Sequence, residues 1–296
     1  MANNLKARGK SKGTLELETA ILSIVAERAP ITVRGVAYAL FTRGLIDGMT
    51  VNNTSKVSRI MTAMREADAL DWKDVVDGSR AVDRVSIWRD PSSIIEAAVT
   101  GYRRDYWQDQ PSLVEIWSEK STIAGVLAPV LNEFGVTFRV MKGFGSFTSV
   151  RQAAEDSLSL ASHQTGVVLY IGDFDPSGLY MSAVDLPERL DRYGSQWTFE
   201  RIAVLESDTS NLLSFDLASK TGDPRHDWYL KRYGSKCWEL DAIDPNDLRH
   251  RVKEQIETRL NLLVWEHAKG IEAAEVESMK SFHKAWNARM GGRYGK

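Results

Sequence analysis

Two aspartates two residues apart, just past an apolar run, are the most chemically suggestive feature of this sequence. The segment reads Tyr170-Ile171-Gly172-Asp173-Phe174-Asp175-Pro176-Ser177-Gly178. In extended backbone, residues i and i+2 face the same side, so Asp173 and Asp175 present their carboxylates together. Adjacent carboxylates repel, and a divalent cation between them removes that penalty. Pro176 stops the strand, and Gly178 permits a tight entry into a following helix. An isolated Asp-x-Asp also fits a surface loop with solvated acids. A third acid has an equivalent setting, because Leu113 to Trp117 reads as a strand leading into Ser118-Glu119-Lys120. If the two strands are neighbours, Glu119, Asp173 and Asp175 converge. Such an all-oxygen set suits Mg²⁺, with Mn²⁺ as a substitute, and leaves coordinated waters for a substrate phosphate. Glu115 is the rival acid. Strand alternation puts it on the same side as Glu119 but deeper, where an unpaired carboxylate is costly.

These acids need a scaffold that ends strands beside one another, and the second part of the chain supplies the pattern. After Pro111, extended runs at 113–117, 136–141, 166–171 and 199–205 alternate with helical runs at 122–134, 150–162 and 179–192. Alternation of this kind predicts a mostly parallel sheet covered on both faces, in a domain over 112–245. In open α/β sheets, ligands bind beyond the carboxyl ends of the strands, where these acids fall. Residues 246–296 read as a charged helical region.

The first part of the chain is different. Three helical patterns run from Thr14 to Pro30, from Thr32 to Leu45 and from Asn52 to Leu70. Two extended runs follow, at 72–76 and 82–88, with Asp77-Gly78 between them as a turn signal. Three helices and a β-hairpin are the order of a winged-helix domain, here 14–90. In that module the third helix enters the major groove and the wing touches the DNA backbone. Lys56, Arg59 and Arg65 lie mostly off the apolar stripe of the third helix and are expected to contact phosphates. Residues 91–111 read as a connecting helix and linker. Residues 1–13 read as a basic flexible tail, with Lys6, Arg8, Lys10 and Lys12 and no acid, either soluble or serving as a phosphate-contacting arm.

Composition bounds the answer. The 296 residues are about twice a common single-domain length of roughly 150, which suggests two domains. Hydrophobic residues at 43% and charged residues at 26% exclude a mainly disordered chain. The net charge is −2, from 38 basic and 40 acidic residues, so any basic surface must be local. The single cysteine, Cys237, forms no internal disulfide and fits a reducing compartment. The absence of a signal-like or membrane-spanning apolar run points to a cytoplasmic protein. The five histidines lack zinc-ligand spacing, and no Gly-x-x-x-x-Gly-Lys-[Ser/Thr] loop is present.

Strand-Glu-helix followed by strand-Asp-x-Asp-Pro-x-Gly-helix resembles the Toprim domain of topoisomerases, primases and related nucleases. The segments that carry the likeness are Trp117-Ser118-Glu119-Lys120, Lys142-Gly143-Phe144-Gly145 and Gly172-Asp173-Phe174-Asp175-Pro176-Ser177-Gly178. The order winged helix then Toprim resembles the DNA-cleaving polypeptide of topoisomerase VI and the related meiotic recombination protein. In that family a motif Arg-x-x-(aromatic)-Tyr supplies the tyrosine that attacks DNA. Arg34-Gly35-Val36-Ala37-Tyr38 stands at the matching place, with Ala37 where the family usually has an aromatic residue. Trp238-Glu239-Leu240-Asp241-Ala242-Ile243 looks like the family's Glu-Leu-x-Ala-Leu element.

The resemblance implies Mg²⁺-dependent cleavage of double-stranded DNA with strand passage, through a 5′ phosphotyrosine link formed by Tyr38. Arg34, one turn earlier, would hold the phosphate or a phenolate. Glu119 would take part in catalysis and would hold the metal with Asp173 and Asp175, while Lys142 would contact a phosphate. It also implies a homodimer in which one protomer's tyrosine serves the other's metal site, a separate ATPase partner, and a nucleoid-associated location. Two other readings remain open at this point. One is a Toprim nuclease that hydrolyses DNA with water, leaving Tyr38 structural. The other is a winged-helix DNA-binding protein without catalysis. In the tyrosine mechanism, Tyr38 is expected to face DNA with its oxygen exposed.

Overall fold

Ser11, Thr32 and Thr50 each stand one residue before a helix, and each side chain accepts a backbone N–H three residues on. These caps satisfy orphan donors of the first turn and set the starts of α1 (Lys12–Arg28), α2 (Val33–Thr42) and α3 (Val51–Glu66). The structure, a computed structural model, describes residues 11–76, 86–141, 147–217 and 225–290. Leu17, Ile21 and Ile24 of α1, Val36 and Leu40 of α2, and Val57, Met61 and Met64 of α3 close one core.

The extended run expected at 72–76 is mostly a turn. Asp71 accepts the Lys73 N–H and bends Trp72–Asp74 into a 3₁₀ turn. Only β2 (Val75–Val76) is strand, and it pairs in parallel with β1 (Ile31–Thr32), Ile31 opposite Val75. Asp77-Gly78 and most of the second arm lie outside the described residues, and 86–88 carry no strand. Asp90 and Ser93 form a capping box that opens α4 (Pro91–Gly101), the helical part of the stretch 91–111.

The parallel sheet is as the alternation predicts. Its strands are β3 (Ser112–Ser118), β4 (Thr137–Val140), β5 (Thr165–Ile171) and β6 (Trp197–Ala203), in the spatial order β4-β3-β5-β6. From β3 the chain passes through α5 (Thr122–Phe134) to β4 on one side. It then returns through α6 (Phe147–Leu158) to β5 on the other side of β3. The winding reverses between β3 and β5, so their carboxyl ends form a topological switch point. Helices cover both faces. α5 and α10 (Pro245–Glu257) pack on one face, through Ile123, Leu127, Val252 and Ile256. On the other face α6 packs with α8 (Leu186–Arg192), through Val150, Ala154, Leu186 and Leu190. α7 (Pro176–Tyr180) runs into α8 through a π turn, Met181–Asp185.

Sequence periodicity does not reveal the antiparallel ribbon of β7 (Ser214–Asp216) and β8 (Lys236–Trp238), nor α9 (His226–Tyr233). The C-terminal region is helical as expected, ending in α11 (Leu262–Met290). Among the described residues, no helix is long and apolar enough to cross a membrane.

The N-terminal helices are seated on the sheet unit. Arg249 of α10 donates to the carbonyls of Arg28, Ala29, Pro30 and Val126. Arg28 pairs with Asp244 at 3.0 Å, and Asn246 donates to the Glu27 carbonyl at 3.1 Å. A Cβ on Gly125 of α5 would run into Val76, so glycine there lets β2 lie against α5.

Candidate active site at the strand ends

β3 and β5 are direct neighbours, and Ser118 lies opposite Ile171 at their carboxyl ends. Glu119 and the Asp173 turn therefore meet at the switch point. Glu119 is close enough to both aspartates to feel their charges. Burial first, then Asp173 and Asp175, push its carboxyl up to about 7, while Lys120 and Arg201 pull the other way.

Each aspartate also has a structural task. Asp173, 8% exposed, accepts the Leu240 N–H at 2.7 Å and the Lys120 ammonium at 2.8 Å, both on Oδ1. Burial raises its pKa, against Lys120 and the Leu240 N–H. Asp175 caps α7, with its Oδ1 accepting the Gly178 N–H at 2.7 Å. Gly178 is required by close approach, because a Cβ there would collide with the Asp173 carbonyl. Among the described residues, no three His, Cys, Asp or Glu side chains form a ready ligand group. The expected convergence is thus a cluster in electrostatic contact rather than a closed cage. The donor set still fits Mg²⁺. It is all oxygen, and burial followed by the two aspartates raises Glu119, an electrostatic cost that a cation would offset.

Glu115, the rival acid, is settled elsewhere. It is buried in β3, where Arg139 grips both its oxygens at 3.0 Å and the Trp117 indole donates at 2.6 Å.

Further residues, to which sequence reasoning gives no role, complete the site. Lys120 bridges Asp173 and Asp241, whose Oδ2 lies 2.9 Å away. Burial opposes Asp241 ionisation, yet Lys120 and Thr32 hold its pKa below the usual value. The Thr32 hydroxyl, besides capping α2, donates to Asp241 at 2.7 Å. Glu239 receives Arg34, whose Nη2 lies 2.5 Å from Oε1, and the Tyr38 hydroxyl at 3.2 Å. Arg201 is buried beneath the acidic turn and bonds the Gly172 and Asp173 carbonyls at 2.6 and 2.5 Å. Lys120 stands inside a segment that carries the Toprim likeness, and Glu239 and Asp241 stand inside the Glu-Leu-x-Ala-Leu-like element. Arg201 has only one signal, an arginine within an otherwise ordinary strand.

Arg34, Lys120, Asp173, Glu239 and Asp241 share a cavity of about 480 Å³ between α2 and the strand ends. The structure thus brings the Arg34–Tyr38 pair to the acidic turn of its own chain. Glu239 accepts Tyr38, and the next residue, Leu240, donates to Asp173. Tyr38 is only 6% exposed, which corrects the expectation of a free oxygen. Burial and Glu239 push its pKa well above the usual tyrosine value, against Arg34. On α3, Lys56 and Arg59 are exposed, but Arg65 is 4% exposed and lies over the Trp72 ring at 4.7 Å. Arg65 is therefore corrected from a phosphate contact to a packed residue. Lys142 lies outside the described residues, as do Lys6, Arg8 and Lys10.

One expected result concerns pH. Below the ordinary glutamate value of 4.5, Glu119 is protonated in both folded and unfolded chains. From there up to about 7, the folded chain keeps a proton that the unfolded chain has lost. Stability from this group therefore falls as pH rises through that window. A cation must displace the same proton. Affinity for Mn²⁺ should rise about tenfold per pH unit up to roughly pH 7 and then level off. Electron paramagnetic resonance titration of Mn²⁺ measures this, and a flat profile would contradict the assignment of Glu119.

Comparison with protein-family models, with curated proteins and with solved structures returned no match for this chain.

Proposed function

We propose that this chain is a Mg²⁺-dependent DNA-cleaving enzyme with the winged-helix and Toprim organisation of the DNA-cleaving polypeptide of topoisomerase VI. The observation that carries this reading is the gathering of Glu119, Asp173 and Asp175 at the β3–β5 switch point, with Glu119 lifted to about 7. Acids gathered at a strand-end switch point are the kind of set with which a phosphoryl-transfer site holds a cation. Glu119, Asp173 and Asp175 would hold Mg²⁺, which supplies charge neutralisation at the phosphate when bound. Lys56 and Arg59 would seat the duplex on α3. Lys120 and Arg34 face the cavity and would orient the scissile phosphate.

The geometry favours water as nucleophile. The Tyr38 hydroxyl is buried, its proton is donated to Glu239, and ionisation is disfavoured. One observation supports the second reading, attack by Tyr38 itself. A hydroxyl already donating to a carboxylate is the arrangement of a nucleophile and its base. In that reading a dimer supplies one tyrosine per strand.

Tyr38→Phe separates the two. Losing a buried hydrogen bond to a carboxylate should cost about 1 kcal/mol or somewhat more. Supercoiled plasmid is incubated with Mg²⁺ or Mn²⁺, then denatured and protease-treated before electrophoresis. Hydrolysis predicts that Tyr38→Phe cuts within a few-fold of wild type with no protein–DNA adduct. Loss of cutting, with an adduct formed by wild type, selects the tyrosine. No cutting by wild type with either metal rejects the enzyme reading.

A further inference from the structure

The cavity between α2 and the strand ends is graded from mouth to floor. The Arg34 side chain, 45% exposed, stands at the mouth. That of Lys120 lies deeper at 23%, and those of Asp173 and Asp241 form the floor at 11% and 6%. The wall carries an apolar patch. Thr32 lies opposite Val76 in the β1–β2 pair, so Val33, the next residue, is a neighbour of Val76. Both valines line the cavity, together with Thr122 at the start of α5.

These walls are held in place from both sides. On the α2 side, Thr32 bonds Asp241 at 2.7 Å, and Glu239 holds Arg34 and the Tyr38 hydroxyl. On the other side, Val76 is pressed against Gly125 of α5, where a Cβ would not fit. The volume of about 480 Å³ suits one nucleotide-sized group. A fully paired duplex offers this cavity only a phosphate edge, because its bases are stacked on one another and cannot cover the valines. An unpaired nucleotide has both parts free, a phosphate for the floor and a base face for the apolar patch.

We propose that the strand-end site takes one unpaired nucleotide, so that its substrate is a single strand or a duplex with a nucleotide out of the stack. The base lies on Val33 and Val76, its phosphate is directed to Asp173 and Lys120, and the neighbouring phosphate meets Arg34. A duplex seated on α3 serves this site only by releasing a nucleotide from its stack. The inference rests on the reading of the strand-end cluster as the cleavage centre, and adds to it the class of substrate that the cavity admits.

The test is fluorescence anisotropy in Ca²⁺, which takes the same carboxylate oxygens as Mg²⁺. Two labelled oligonucleotide duplexes are compared, one fully paired and one with a single unpaired nucleotide inserted in the same sequence. A denaturing gel run afterwards confirms that both stay intact. The duplexes share any contact with α3, so the difference between them reports the cavity. Extruding a paired nucleotide costs free energy that an unpaired one does not, so the second duplex should bind at least about tenfold more tightly. Val33→Trp and Thr122→Trp fill the cavity from two different helices. Both positions are partly exposed in a first helical turn, and circular dichroism confirms that each variant folds. Either variant should bring the second duplex down to the affinity of the first. Equal affinity of wild type for the two duplexes overturns the proposal, as does failure to bind either. So does a preference that survives both tryptophans. A preference erased by tryptophan, without plasmid cutting in Mg²⁺ or Mn²⁺, keeps the nucleotide site and rejects cleavage. Plasmid cutting with equal affinity for the two duplexes does the reverse.

Discussion

Asp173→Asn is expected to reduce metal-dependent DNA cleavage by about 10³-fold or more while leaving the fold largely intact. Asparagine has the same shape and keeps an acceptor oxygen for the Leu240 N–H and the Lys120 ammonium. What it removes is the charge that a cation and a phosphoryl-transfer transition state require. Breaking a buried ion pair often costs roughly 3–5 kcal/mol, because the remaining charge is left alone. Here Lys120 keeps Asp241 at 2.9 Å, and the neutral residue escapes the burial penalty that raises Asp173. A loss of only about 1–2 kcal/mol is expected, since the surviving bonds are of ordinary strength. Asp173 is buried, so the substitution cannot be free of a stability cost, as it would be at an exposed loop. Parallel plasmid assays and thermal melts with and without Mg²⁺ check both parts. Wild type should melt higher with Mg²⁺ and the variant should not. Cleavage by the variant at the wild-type rate would remove Asp173 from the site.

The largest stability effect is expected at Arg201. Its Nε donates to the Val204 carbonyl at 2.9 Å, and Nη1 donates to the Gly178 carbonyl and the Ser182 hydroxyl at 3.2 and 2.7 Å. Nη2 donates to the carbonyls of Gly172 and Asp173. All five guanidinium donors are used, and they tie both ends of the acidic turn to α7 and β6. Methionine would fill much of the volume but remove all five bonds; the Gly172 and Gly178 carbonyls keep the Val204 N–H and the Ser182 hydroxyl, while those of Asp173 and Val204 lose their donor, each worth about 1–3 kcal/mol if left buried and unpaired. Water can reach some of them, so a net loss of about 3–5 kcal/mol is expected for Arg201→Met. Total stability is typically only about 5–15 kcal/mol, and the melting temperature should drop by roughly 10 °C. Arg201→Lys should recover less than half, since an ammonium keeps the charge but not the planar fork. If the methionine variant melts within about 2 °C of wild type, the turn is held by Asp175 and Gly178 without the guanidinium.

The parallel sheet and its acids are legible in the sequence because their signals are local. Apolar runs such as Gly166 to Ile171 mark buried strands, and Asp-x-Asp-Pro-x-Gly marks the turn that ends one. Helices at 122–134 and in the C-terminal region carry clear periodicity. Pairing over distance leaves no such signal. Lys120 and Asp241 are far apart in the chain yet 2.9 Å apart in space, and no spacing rule connects them. Burial is hidden for the same reason. Arg65 looks like a surface cation on a helical wheel until Trp72 covers it. Tyr38 looks like a rim aromatic until Glu239 arrives opposite its hydroxyl. The short ribbon of β7 and β8 has too few residues to show a period.

The docking of α1 and α2 on α10 bears on how the two halves stay together. Arg249 closes the free carbonyl end of α1, Asp244 holds Arg28, and Asn246 reaches Glu27. Among the described residues, 86–90 take no part in these contacts. Cutting the chain there would leave two fragments that recognise each other by shape and charge. The geometry of the seam rests on residues 244–249 and the carbonyl end of α1.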